Sequence, residues 1–236
     1  MSSPELQAKP GTHAGVAARQ SASALEAVAT LTWALPLAFC FFYSLAWAFS
    51  LKNLLLISGH LFALGAASLM AEAASRLGER APLRRYALVT QALAISVVIC
   101  LLYAFYPMIR MFLKADEPFL AMIESDDPAN RLAMTTVVAY GLAAAAITAF
   151  AQLLARAGDE FGQKIGGLQL AVISAFLAAG LAASLHAAFA ARTELRELRH
   201  LLAFGLVAVA ILAYTRLYPG IQRVAQCLHR EAATQA

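Results

Sequence analysis

Between residues 27 and 218 the chain is nearly continuously apolar, interrupted only by short clusters of charge and turn residues. Six apolar segments stand out, at about 27–50, 53–75, 86–109, 132–155, 166–190 and 200–218. Each is close to the roughly 20 residues that a helix needs to cross a bilayer. In lipid no water is available to backbone amides, so a spanning segment must satisfy its own hydrogen bonds, which selects helices. The alternating ten-residue pattern of a membrane β-barrel is absent. Composition agrees: 61% of the 236 residues are hydrophobic, 14% are charged, and the mean hydropathy is +0.68. Soluble domains run at roughly 45–50% apolar and 25% charged. The expected fold is therefore an all-α polytopic membrane protein with six transmembrane helices.

The breaks divide the chain. Residues 1–22, polar and small with two prolines, read as a disordered cytoplasmic tail. Residues 23–113 and 132–225 each hold three apolar segments, 114–131 form an acidic linker, and 226–236 a second cytoplasmic tail. Lysine and arginine near helix ends set orientation. With the N-terminus inside, eleven lie on the cytoplasmic side and seven opposite, and the 76–85 turn alone contributes four arginines. The expected location is the bacterial inner membrane with both termini cytoplasmic. The net charge of +4 reflects this topology. No basic tract is interleaved with aromatics, so nucleic acid is not an expected partner.

Two stretches repeat. Residues 57–80 and 173–196 align without a gap and are identical at 12 of 24 positions, among them Ser58, Leu61, Ala66, Ser68, Arg76 and Arg80. Three helices per unit place the second unit upside down relative to the first. The sequence therefore predicts a 3+3 inverted repeat, an arrangement found in secondary transporters with sites at the repeat interface. Small residues at i, i+4 spacing (Ala63, Ala67, Ala71 and Ser75; Ala179, Ala183, Ala187 and Ala191) mark faces for close helix approach.

Few residues could carry chemistry. His60 and His186 are the two histidines well inside apolar segments, and Glu72 is the carboxylate inside a span. Intramembrane ionisable groups are functional hypotheses by default, so these three are read as polar points on a substrate or proton pathway between helices 2 and 5. The histidines are also the candidates for b-type haem ligation, while no other cofactor and no metal site is expected. Arg76, one turn after Glu72, offers it an ordinary ion-pair partner. Arg216, in "YTRLYP", is read as reaching lipid headgroups or an anionic partner. The "FLAMI" stretch at 119–123 reads as a short surface helix. The dispersed cysteines Cys40, Cys100 and Cys227 form no disulfide or zinc pattern. No hydrolase, protease or nucleotide-binding motif is present, so the chain is read as a non-enzyme.

Three functions fit: a small transporter or channel-like protein, a non-catalytic subunit (anchor, assembly or secretion component) of a larger membrane complex, or a haem protein. The expected partners are the bilayer and either copies of this chain or other membrane subunits. A reporter fused into the 114–131 linker is expected to be active only on the extracytoplasmic side; cytoplasmic activity would reverse the orientation.

Overall fold

The computed structural model describes residues 11–51, 53–113, 128–190 and 196–235. Within these it forms six helices: α1 (Gly11–Leu51), α2 (Asn53–Leu77), α3 (Arg84–Leu113), α4 (Pro128–Glu160), α5 (Leu168–Ala190) and α6 (Arg196–Gln235). Five contain stretches long and apolar enough to cross a membrane: Gln20–Tyr43, Arg84–Ala104, Val137–Glu160, Leu168–Leu185 and His200–Thr234. The chain is a helical membrane protein. The sixth expected span, α2, is not among the five. Its described part carries His60, Ser68, Glu72, Ser75 and Arg76, which dilute an otherwise Ala- and Leu-rich helix.

Several expected boundaries shift. The tail expected over residues 1–22 is helical from Gly11 onward. Residues 226–235, read as a tail, continue α6 through Pro219 without a break. Both α1 and α6 contain an internal proline, Pro36 and Pro219, which a packed membrane helix tolerates because neighbours compensate the lost bond. Residues 128–131 of the expected linker already belong to α4. The rest of that linker and the "FLAMI" stretch lie outside the described residues.

The helices form a ring in which each packs on its chain neighbours and α1 closes on α6, with a lighter contact between α4 and α6. What lies inside is small. More than half of the buried apolar residues among those described are alanines, among them Ala63, Ala67, Ala71, Ala144, Ala171, Ala178 and Ala182. Many large side chains point outward, Trp33, Leu88, Ile99, Leu102, Phe176 and Phe204 being more than half exposed, while others such as Leu31, Leu153 and Ile221 are buried. Lipid is as apolar as leucine, so nothing drives large side chains inward, and small ones let backbones approach. The expected face of α2 (Ala63, Ala67, Ala71) is buried, but Ser75 is exposed. On α5 the buried stripe is displaced to Ala171, Ala175, Ala178 and Ala182, while Ala179 and Ala183 are only half-buried.

The turns are built by glycine. At the end of α4 the Gln163 N–H donates to the Gly158 carbonyl at 2.9 Å and the Gly162 N–H to that of Asp159 at 3.0 Å. This is a Schellman cap, and Gly162 supplies its left-handed residue at φ +65°. The returning chain crosses so closely that a Cβ on Gly158 would stand 2.6 Å from the Gln163 oxygen. Gly158→Ala is therefore expected to cost about 1–3 kcal/mol through overpacking, read as a lower unfolding midpoint in detergent. Gly141→Ala, where an added Cβ meets nothing within 4 Å, is expected to leave the midpoint unchanged or raise it.

Candidate functional site

The polar chemistry of the described bundle collects at one end, and Arg80 is its centre. Arg80 follows α2 in the turn to α3, and its side chain is only 7% exposed. One guanidinium nitrogen, Nη1, donates to Glu160 Oε1 at the end of α4 at 3.0 Å. The other, Nη2, donates to Glu231 Oε2 in the last turns of α6 and to Ser21 Oγ on α1 at 3.4 Å. The Phe161 ring lies 5.4 Å from the guanidinium carbon, a cation–π distance. Gln20 adds a bond from its amide to the Glu79 carbonyl at 3.3 Å. Four elements far apart in sequence therefore meet on one cation. Its position puts the α2–α3 and α4–α5 turns, residue 21 and residue 231 at the same end of the ring. Beneath it an apolar cluster of Val28, Leu31, Leu77, Leu83, Leu153, Leu154, Ile221 and Leu228 closes the bundle.

The residues singled out in the sequence are spread over the molecule. Glu72 faces outward at 48% side-chain exposure and pairs with Arg76 Nη2 at 2.6 Å. Arg76 also bonds Glu26 on α1, so the trio staples α1 to α2 at the surface. His60 is buried at 2% exposure on α2, where it meets the Phe41 ring edge-on with centroids 6.4 Å apart. Phe41 in turn lies 6.1 Å from the Tyr140 ring of α4. His186 is on α5, but its side chain lies outside the described residues. The main packing neighbours of α2 are α1 and α3, and those of α5 are α4 and α6. Arg216 is exposed on α6. Its Cδ would stand 3.4 Å from a Cβ placed on Gly167, and Tyr214 and Tyr218 stack beside it with centroids 5.5 Å apart. Among the described residues no three His, Cys, Asp or Glu side chains cluster as metal ligands.

Two small apolar cavities lie in the middle of the ring, of about 70 Å³ and 60 Å³. They share Ala38, Phe42, Ala66, Met70 and Ile147 in their walls; His60 and Glu72 line neither. Sequence reasoning noted Arg80 as a basic residue near a helix end and as an identity between the two repeated stretches. Its available signal was position: an arginine in a short turn between apolar helices, with Glu160 at the end of another. No family model matches the chain, and no curated protein or solved structure shows significant similarity to it.

Removing one member of a buried ion pair strands the other charge. Arg80→Met is expected to cost about 3 kcal/mol. Arg76→Met, in an exposed trio, is expected to cost less than about 1 kcal/mol. Equal effects in chemical denaturation of the purified protein would refute the assignment of Arg80 as the organising charge.

Proposed function

We propose that this protein is a non-catalytic subunit of a membrane assembly, a helical anchor that presents one rigid end to partner proteins. The Arg80 cluster carries this reading. At 41 and 40 residues, α1 and α6 are each about 60 Å long at 1.5 Å per residue. A hydrocarbon core is only about 30 Å thick. The surplus of both helices includes the end where Ser21 and Glu231 are tied to Arg80. Fixing that surplus with a buried ion cluster, in a ring whose interior is packed with alanine, suits a docking platform. Its outer face on α6 offers Gln222, Arg223, Gln226, His229 and Arg230, all exposed, to an acidic partner surface.

We place this end in the cytoplasm of a bacterial inner membrane. Arg76, Arg80, Arg84, Arg85, Arg156, Lys164, Arg216, Arg223 and Arg230 belong to it, as the positive-inside rule requires of a cytoplasmic face. We also read α2 as a sixth span and residues 23–113 and 132–225 as inverted three-helix units. In support, α2 runs toward the Arg80 end and its counterpart α5 runs away from it. Some matched positions share their exposure: Leu61 with Leu177 and Ser68 with Ser184 are exposed and Ala66 with Ala182 is buried, whereas Ala63 and Ala67 are buried and their counterparts Ala179 and Ala183 are half-buried. His60 departs from the match, being buried where Phe176 is exposed.

One observation favours transport as a second reading: the paired cavities meet at the middle of the ring. A route between α2 and α5 would use His60, Glu72 and His186 as its polar points. The experiment that separates the readings is purification in mild detergent alongside flux into proteoliposomes. The subunit reading expects fixed-stoichiometry partners that Arg223→Glu with Arg230→Glu releases, and no flux. A solitary protein whose flux is abolished by His60→Ala, Glu72→Ala or His186→Ala would replace it with transport. A Soret band lost in the histidine variants would replace it with haem binding.

A further inference from the structure

On the outer surface of the ring, between α2 and the start of α3, lies an open depression. It has a volume of about 550 Å³ and is lined by Ser75, Gly78, Glu79, Arg84, Leu88 and Gln91 together with Ala74, Ala81 and Ala87. Three properties define its chemistry. It carries one cation and one anion, and neither the Arg84 guanidinium nor the Glu79 carboxylate is in an ion pair among the described residues. It adds neutral hydrogen-bonding groups, the Ser75 hydroxyl and the Gln91 amide. It also opens at the top of an apolar track. On α3 the residues Arg84, Leu88, Gln91, Ile95, Ile99 and Leu102 succeed one another at three- and four-residue spacing, which places them on one face. Leu88, Ile95, Ile99 and Leu102 are all strongly exposed. From Arg84 to Leu102 that track is about 27 Å long at 1.5 Å per residue, close to the thickness of a hydrocarbon core.

A depression with one charge of each sign, neither in an ion pair among the described residues, at the polar end of an exposed apolar track is complementary to a zwitterionic amphiphile. We propose that this groove binds a phospholipid with an ethanolamine headgroup, its phosphate on Arg84, its ammonium on Glu79 and an acyl chain along Leu88, Ile95 and Ile99. Arginine is suited to the phosphate because its planar fork can donate two hydrogen bonds to one anion. The primary ammonium can donate to the Glu79 carboxylate and the Ser75 hydroxyl, which a quaternary choline cannot do. A purely anionic headgroup would satisfy Arg84 but would be repelled by Glu79. The groove owes its floor to Gly78, where a Cβ would stand 2.9 Å from the Ala87 Cβ, so α2 and α3 meet closely beneath it and leave the space above open.

The test is native mass spectrometry of the full chain, delipidated in detergent and titrated with phosphatidylethanolamine, phosphatidylglycerol or phosphatidylcholine of matched chains. Phosphatidylethanolamine is expected to give the most persistent adduct. Arg84→Ala should weaken it about fivefold, since a basic residue near a membrane surface contributes about 1 kcal/mol. Glu79→Gln should weaken the ethanolamine adduct and leave the glycerol adduct unchanged or stronger. Arg85→Ala, exposed but outside the groove, should change nothing, and circular dichroism should confirm that each variant remains helical. Phosphatidylglycerol binding better than phosphatidylethanolamine would overturn the proposal. So would adducts indifferent to Arg84→Ala, or inorganic phosphate binding the lipid-free protein as tightly as the lipid does.

Discussion

A guanidinium taken out of water has to recover its hydration from the protein, and Arg80 does so at Nη1 and Nη2 by gathering carboxylates and a hydroxyl from α1, α4 and α6, while its buried Nε has no hydrogen-bond partner among the described residues. The desolvation cost of burying ions is several kcal/mol each and is recovered only with good geometry and additional hydrogen bonds. Glu160, Glu231 and Ser21 supply those bonds from α4, α6 and α1. Arginine suits the position because its five donors are held in a rigid fork. The consequence is topological: the ring α1–α6 is tied at this end by one side chain, which fixes the two longest described helices to the rest of the bundle.

The remainder of the bundle is held by different physics. Lipid offers no hydrophobic drive between helices, so packing relies on van der Waals contact between small faces. The alanine-rich interior and the many exposed leucine, isoleucine and phenylalanine side chains follow from that. Gly158 and Gly78 extend the same logic to the turns, where the chain passes closer than any side chain permits. The two interior cavities are what remains where alanine on several helices meets at once. Charged side chains correspondingly lie toward the ends and the outer surface, as Glu72 and Arg216 illustrate.

The helical membrane class was legible because its signal is long and redundant: apolar runs between Lys52, the 76–85 arginines and the 156–164 charges mark the helices, although α2 is not among the five candidate spans. The glycines and charges at 158–164 likewise foretold a turn. Boundaries were less legible. No long apolar run marks residues 11–22 or 226–235, yet both are helical: Ser21 and Glu231 tie these ends to Arg80, and Leu228 is buried in the core. The α5 stripe was misplaced by one position, since in so alanine-rich a helix every face looks like a packing face. Glu72 drew attention for being charged within a span, but its partner one turn later accounts for it. Arg80 was noted only for its charge and its place in the repeat, because sequence shows that an arginine lies in a turn and not which carboxylates fold onto it.

The central claim is that Arg80 holds the C-terminal part of α6 to the rest of the bundle, and hydrogen exchange tests it most directly. In Arg80→Met, amides of residues 221–235 are expected to lose protection together, while those of α3 between residues 86 and 104 keep theirs. Undiminished protection across 221–235 would show that the apolar contacts of Ile221, Val224 and Leu228 fix that segment alone, and would contradict the account.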